Sequence, residues 1–115
     1  MKDRVSRFRE YRQRMNERIL ARGTLTTRRF FNLDTRCYED GALDARTKEM
    51  LGLVASLVLR CDDCVAYHLI RCVEEGVTES ELMEVLDVGL IVGGSIVIPH
   101  LRRAHELLTE LTGGD

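Results

Sequence analysis

Cys61-Asp62-Asp63-Cys64 places two thiols three residues apart, and His68 follows the second by four. Cysteines at this spacing can close a small disulfide ring. If Cys64 and His68 share a helix, their spacing puts both on one face. A thiol at a helix N-terminus meets the positive end of the helix dipole, which favours the thiolate. A neutral imidazole one turn on can accept the thiol proton, and once protonated it stabilises the thiolate. Asp62 and Asp63 oppose this, because nearby carboxylates raise a thiol pKa. The chemistry implied is thiol–disulfide exchange.

Two other readings use the same residues. One is a pair of buried cysteines and a core histidine on an amphipathic helix. The other is structural zinc, with Cys61, Cys64, His68 and Cys72 as a Cys₃His set. The geometry disfavours zinc. Cys72 lies about 12 Å along a helix from Cys64, at a rise of about 1.5 Å per residue. One ion with bonds near about 2.3 Å does not easily reach both. No metal is expected. Cys37 and Cys72 read as core or spare thiols, and His100 and His105 as surface or interface residues.

The elements that must position these groups read as helical almost throughout. A first helix covers roughly 3–22 and stops near Gly23, with Val5, Phe8, Tyr11, Met15 and Ile19 as its apolar stripe. Residues 24–42 suggest a short helix or a packed loop. Asp44 caps a helix over roughly 45–60, in which Met50, Leu53, Val54, Leu57, Val58 and Cys61 line one side. The two thiols lie at the break before a helix over roughly 62–75, which Gly76 ends. Thr78-Glu79-Ser80-Glu81 is a capping box for a helix over about 79–92. Gly93-Gly94-Ser95 breaks the chain, and a last helix runs from about 98 to 112 with Pro99 in its first turn. The stretch Val88 to Pro99 reads as a buried helix junction or a subunit contact. The expected fold is all-α, a single-domain bundle of five or six helices. It would comprise an N-terminal helix and connector over 1–41 and a core over 42–112.

The totals exclude several classes. At 115 residues the chain is one domain by size, and 44% hydrophobic content is too high for disorder. Aromatics make up 5%, so Leu, Val, Ile and Met must build the core. No apolar run spans a bilayer, and no membrane partner is expected. The start is charged from Lys2 onward, without the apolar region of a secretory signal. Four cysteines in such a chain favour working thiols and a cytoplasmic setting over a structural disulfide framework. Residues 1–36 hold eleven Lys/Arg against four Asp/Glu, and the remainder six against fifteen. The basic face of the first helix fits packing on an acidic body or partner subunit better than nucleic acid. No Gly-rich phosphate loop is present, so no nucleotide, flavin or haem cofactor is expected.

Glu49, then Cys61-x-x-Cys64-x-x-x-His68, then Glu74-Glu75-Gly76-Val77-Thr78-x-x-Glu81-x-x-Glu84-Val85-Leu86 resembles the alkylhydroperoxidase D-like, or carboxymuconolactone decarboxylase, family. The likeness covers about residues 42–112. It implies an all-α fold, assembly as trimers or hexamers, and a CxxC disulfide cycled by a Glu–Cys–His proton relay. Carried over by position, Cys64 looks like the peroxide-attacking thiol and Cys61 its resolving partner. His68 would be the base, and Glu49 would orient it, through water. The implied partners are a hydroperoxide or disulfide substrate and an external dithiol reductant. The better-known peroxidases of the family carry a histidine before the second cysteine, where this chain has Asp63. A redox-inactive or decarboxylase-like member of the same fold is the alternative. In a simple antiparallel hairpin turning near Cys61, Glu49 falls level with Val73. The relay then calls for a crossing angle, a bridging water or a glutamate from another subunit.

Overall fold

The structure, a computed structural model, describes residues 3–113. Those residues form six α-helices and one 3-10 turn, with no strand among them. In chain order they are α1 (Arg4–Arg22), α2 (Leu25–Cys37), α3 (Ala45–Val58), α4 (Asp62–Glu74), α5 (Glu79–Gly93), the turn Ser95–Val97, and α6 (Ile98–Thr112). The all-α expectation holds. Residues 24–42, open between helix and loop, are largely the helix α2. No helix among the described residues is long and apolar enough to cross a membrane.

The chain divides into two compact units, Met1–Glu39 and Asp40–Asp115. In the first, Asp3 caps α1 by accepting the Ser6 N–H at 2.7 Å. Gly23 ends that helix where a Cβ would lie 2.6 Å from the Ile19 carbonyl oxygen, so only glycine fits. Thr24 then caps α2. Of the apolar stripe expected on the first helix, Val5 is buried, whereas Tyr11 is 57% exposed and Ile19 39%.

The second unit packs α3 against α4 and α5, and α4 against α6. Two carboxylates start α3: Asp40 accepts the Ala45 N–H at 2.7 Å and Asp44 the Thr47 N–H at 2.8 Å. The buried face of α3 is Glu49, Gly52, Leu53, Ser56 and Leu57. It is rotated from the expected stripe, leaving Met50, Val54 and Val58 half-buried on its flank. The rotation places two small residues inward, where neighbouring groups come close to the backbone. Leu57 in turn packs on Gly89 of α5, where a Cβ would stand 2.8 Å from its Cδ2. Leu53, Leu57, Leu69, Leu82, Leu86 and Val97 are almost wholly buried and form the core. At the start of α5, Thr78 and Glu81 exchange both capping-box bonds, and the Arg46 guanidinium also donates to Glu81. That bond, then the Thr78 bonds, pulls the Glu81 carboxyl down to about 2.

Of the two readings of Val88 to Pro99, a buried helix junction or a subunit contact, the first does not hold within the chain. Val88, Ile91, Val92 and Ile96 are 53%, 84%, 67% and 58% exposed, with Val97 turned inward. The helix α5 runs on to Gly93 and uses its other side, with Leu82, Leu86 and Gly89, against the core.

The link between α3 and α4 is a tight reversal. The Arg60 N–H bonds the Leu57 carbonyl at 3.0 Å and the Cys61 N–H bonds that of Ser56 at 3.1 Å, the paired bonds of a Schellman motif. Arg60 occupies the left-handed position at φ 60°, where glycine is the usual residue. Arg60→Gly is expected to raise stability by about 0.5–1 kcal/mol, because left-handed backbone strains a residue with a Cβ more than glycine's chain entropy costs. A urea titration reads this as a higher midpoint. An unchanged or lower midpoint would mean that the Arg60 side chain holds the turn.

Candidate active site around Cys61, Cys64 and His68

Cys61 is the N-cap of α4, and its sulfur accepts the Cys64 N–H at 3.2 Å. The two residues are joined as a disulfide across a Cα–Cα separation of 5.2 Å. Cys64 lies on the exposed side of the helix start and Cys61 is half-buried. Asp62 and Asp63 occupy the first turn, where carboxylates complement the helix dipole. One turn beyond Cys64, on the same face, His68 points into the packing between α3 and α4 and is 9% exposed.

Glu49 is 1% exposed, so it is no solvated carboxylate. Its Oε1 lies 2.8 Å from His68 Nδ1. A carboxylate there accepts the Nδ1–H, which leaves Nε2 of a neutral ring as the proton acceptor. Its other oxygen lies 3.6 Å from Arg71 Nε, and that guanidinium also bonds Glu74 at 2.7 Å and Glu75 at 3.0 Å. A buried carboxylate without a compensating cation is costly, and Arg71 supplies one.

The contact between Glu49 and His68 is direct and lies within one chain, so the pairing needs neither a bridging water nor another subunit. The physical reason is Gly52. It faces the His68 ring, and a Cβ on it would stand 2.8 Å from Cε1 and 2.9 Å from both ring nitrogens. The missing side chain lets the imidazole pack on the α3 backbone and reach back one turn to Glu49. From α4, His68 and Arg71 both reach Glu49.

The remaining cysteines separate. Cys37 is exposed. Cys72 is wholly buried, and burial first, then the neighbouring Glu49 charge, pushes its thiol up to about 12. It is a core residue and a poor nucleophile. Among the described residues no group of three or more His, Cys, Asp or Glu is placed to hold a metal ion. Every buried side-chain nitrogen or oxygen among them has a partner.

Sequence reasoning passed over three features of this site. Gly52 carried a signal, since a glycine inside a helix costs about 1 kcal/mol and calls for a packing reason. Arg71 carried a weaker one, three residues beyond His68. His100 carried none. Expected at the surface or an interface, it lies half-buried on α6 with its Nδ1 2.7 Å from Asp62 Oδ1. His105, by contrast, is exposed.

Known proteins resemble this chain in sequence and fold. The sequence model of the carboxymuconolactone decarboxylase family matches residues 24–106. An uncharacterised protein of the cox locus of Paracoccus denitrificans is 30% identical over 84 residues, covering 73% of this chain and 76% of that protein. A crystal structure from Thermotoga maritima superposes with a TM-score of 0.90 at 60% identity, covering 93% of this chain and 91% of that one. It is a carboxymuconolactone decarboxylase family protein suggested to take part in an antioxidative response. An apo structure of a family protein from Legionella pneumophila shares the fold, with a TM-score of 0.84 at 24% identity, covering 95% and 97% of the two chains. With most of its length matched and its helical core superposed, the chain belongs to the carboxymuconolactone decarboxylase family.

Proposed function

We propose that the chain is a CxxC thiol–disulfide oxidoreductase that reduces hydroperoxides, with Cys64, Cys61, His68 and Glu49 as its working residues. The observation that carries this reading is the Cys61–Cys64 disulfide at the start of a helix whose next turn bears an imidazole held by a buried carboxylate. The suggested antioxidative role of the Thermotoga maritima relative supports it.

In the reduced protein, His68 Nε2 takes the Cys64 proton, while Glu49 holds Nδ1–H and stabilises the imidazolium that forms. The Cys64 thiolate attacks the terminal peroxide oxygen. The O–O bond breaks, an S–O bond forms, and the leaving alkoxide takes the proton from His68. The Cys61 thiol then attacks the sulfenic sulfur, water leaves, and the disulfide closes. An external dithiol donates two electrons and two protons to reopen it. Cytoplasmic thiols suit this cycle. Assembly into trimers or hexamers would cover the apolar Val88, Ile91, Val92 and Ile96 surface.

The test is mass spectrometry with thiol mapping of the reduced protein, before and after one equivalent of hydroperoxide. The expected outcome is loss of two hydrogens, localised to a Cys61–Cys64 disulfide, with Cys72 unmodified. Unchanged thiols in a folded protein would overturn the reading.

A further inference from the structure

Asp62 lies inside the CxxC ring, and it is tied to the far end of the sequence. Its Oδ1 is 2.7 Å from His100 Nδ1 and its Oδ2 is 2.8 Å from Arg103 Nε, both on α6. The His100 side chain is 18% exposed, against 43% for Asp62 and 51% for Arg103. A contact this short between a ring nitrogen and a carboxylate places a proton on His100 Nδ1, which donates to Asp62. One oxygen therefore meets a permanent cation and the other an N–H donor. Arg103 Nη2 also comes within 3.3 Å of His100 Nδ1, so the two α6 side chains form one group around the carboxylate.

A carboxylate between two cysteines works against both thiolates, as does Asp63 beside it. The groups that favour a thiolate are the α4 N-terminus, Arg60 before the ring, and His68 once protonated. Glu49, buried behind His68, stabilises that imidazolium. The strong orientation of Asp62 is not needed to hold the helices together, because half-exposed surface pairs add little to stability. Its consequence is electrostatic. With both oxygens engaged, the negative charge is held toward α6, beside the Arg103 guanidinium and the His100 N–H.

We propose that His100 and Arg103 are positioning residues that hold and offset the Asp62 carboxylate, and so set how readily the Cys61–Cys64 pair forms a thiolate. The purpose of the brace rests on the redox reading above, but the effect on the thiols does not require it. The brace is built from a residue between the cysteines and two residues on another helix about forty positions later, so it belongs to the tertiary structure.

The experiment measures the pH dependence of iodoacetamide alkylation of reduced Cys61 and Cys64, resolved by peptide mapping. His100→Phe with Arg103→Met, which keep the ring and the stem, should raise the pKa of the more acidic thiol by about half a unit, a roughly threefold loss of thiolate below it. Asp62→Asn should lower it by about the same amount. In the Asp62→Asn background, the two α6 changes should shift it by less than half as much, because their side chains no longer have the carboxylate to hold them near the ring. No shift in the double variant would overturn the proposal. So would equal shifts in both backgrounds, which would mean a direct field from Arg103 and His100 without Asp62. Circular dichroism checks that each variant is folded. If peroxide leaves the wild-type thiols unchanged while the three shifts appear, the redox reading fails and the brace stands.

Discussion

Cys64→Ser is expected to abolish hydroperoxide consumption, and with it all peroxide-driven disulfide formation, while leaving the fold intact. The residue is exposed at the first turn of α4 and contributes no buried apolar surface, so the substitution removes the proposed nucleophile and its short crosslink to Cys61, and little packing. A serine hydroxyl in its place remains protonated near neutral pH and does not attack a peroxide at a useful rate. The neighbouring change has a different signature. Cys61→Ser should permit a single turnover and leave a sulfenic acid on Cys64, because the condensing thiol is gone. Peroxide consumption coupled to an added dithiol reads the first variant, and dimedone trapping followed by mass spectrometry reads the second. Full activity in Cys64→Ser would reverse the role assignment. The Cys61 sulfur, which caps α4 and accepts a backbone N–H, would then be the attacking group.

Gly52→Ala is the second large effect, and its sign depends on which of two terms wins. Alanine in place of glycine inside a helix gains about 1 kcal/mol from propensity alone. Against this, the new Cβ would stand within 2.9 Å of three His68 ring atoms. The ring cannot simply rotate away, since it is buried and its Nδ1 is committed to Glu49. Forcing a methyl into such packing costs about 1–3 kcal/mol. Breaking a hydrogen bond to a charged group costs about 1.5–3 kcal/mol more. The clash wins, and a net loss of about 1–3 kcal/mol follows once partial relaxation is allowed. Urea denaturation checks the stability, and peroxide turnover the activity, which should fall as the imidazole leaves Glu49. A more stable Gly52→Ala with full turnover would mean that the His68 ring has room to move and that its contact with Glu49 is dispensable.

Much of the helical framework was legible along the chain because its signals are local. Asp44, Thr78 with Glu81, Gly76 and Pro99 each act within one turn of their own position, and each begins or ends a helix as expected. The stripe on α3 was legible only in part. A count of apolar residues drew the buried face through Met50, Val54 and Val58, whereas the structure buries Glu49, Gly52 and Ser56 with the leucines. Hydropathy scores the residue itself. It does not register that a glycine admits a neighbour's ring, or that a carboxylate with an imidazole and a guanidinium beside it can be buried. The exposed apolar residues of α5 show the same limit from the other side, since apolar character left a buried junction and a subunit contact equally open and does not say whether a side chain finds its partner within the chain.

The sequence order alone decided the chemistry on offer: two thiols in one ring, a histidine one turn away on the same helix, and a glutamate on the helix before. Those relations follow from the helical period and need no knowledge of how helices pack. Only the tertiary structure decided which of these groups meet. Glu49 pairs directly with His68 because α3 and α4 approach closely at Gly52. Cys72 became inert because the core closes over it. Asp62 acquired His100 and Arg103 because α6 folds back along α4. Contacts between residues far apart in sequence depend on the crossing of helices and on the reach of side chains, and no periodicity along one helix encodes either.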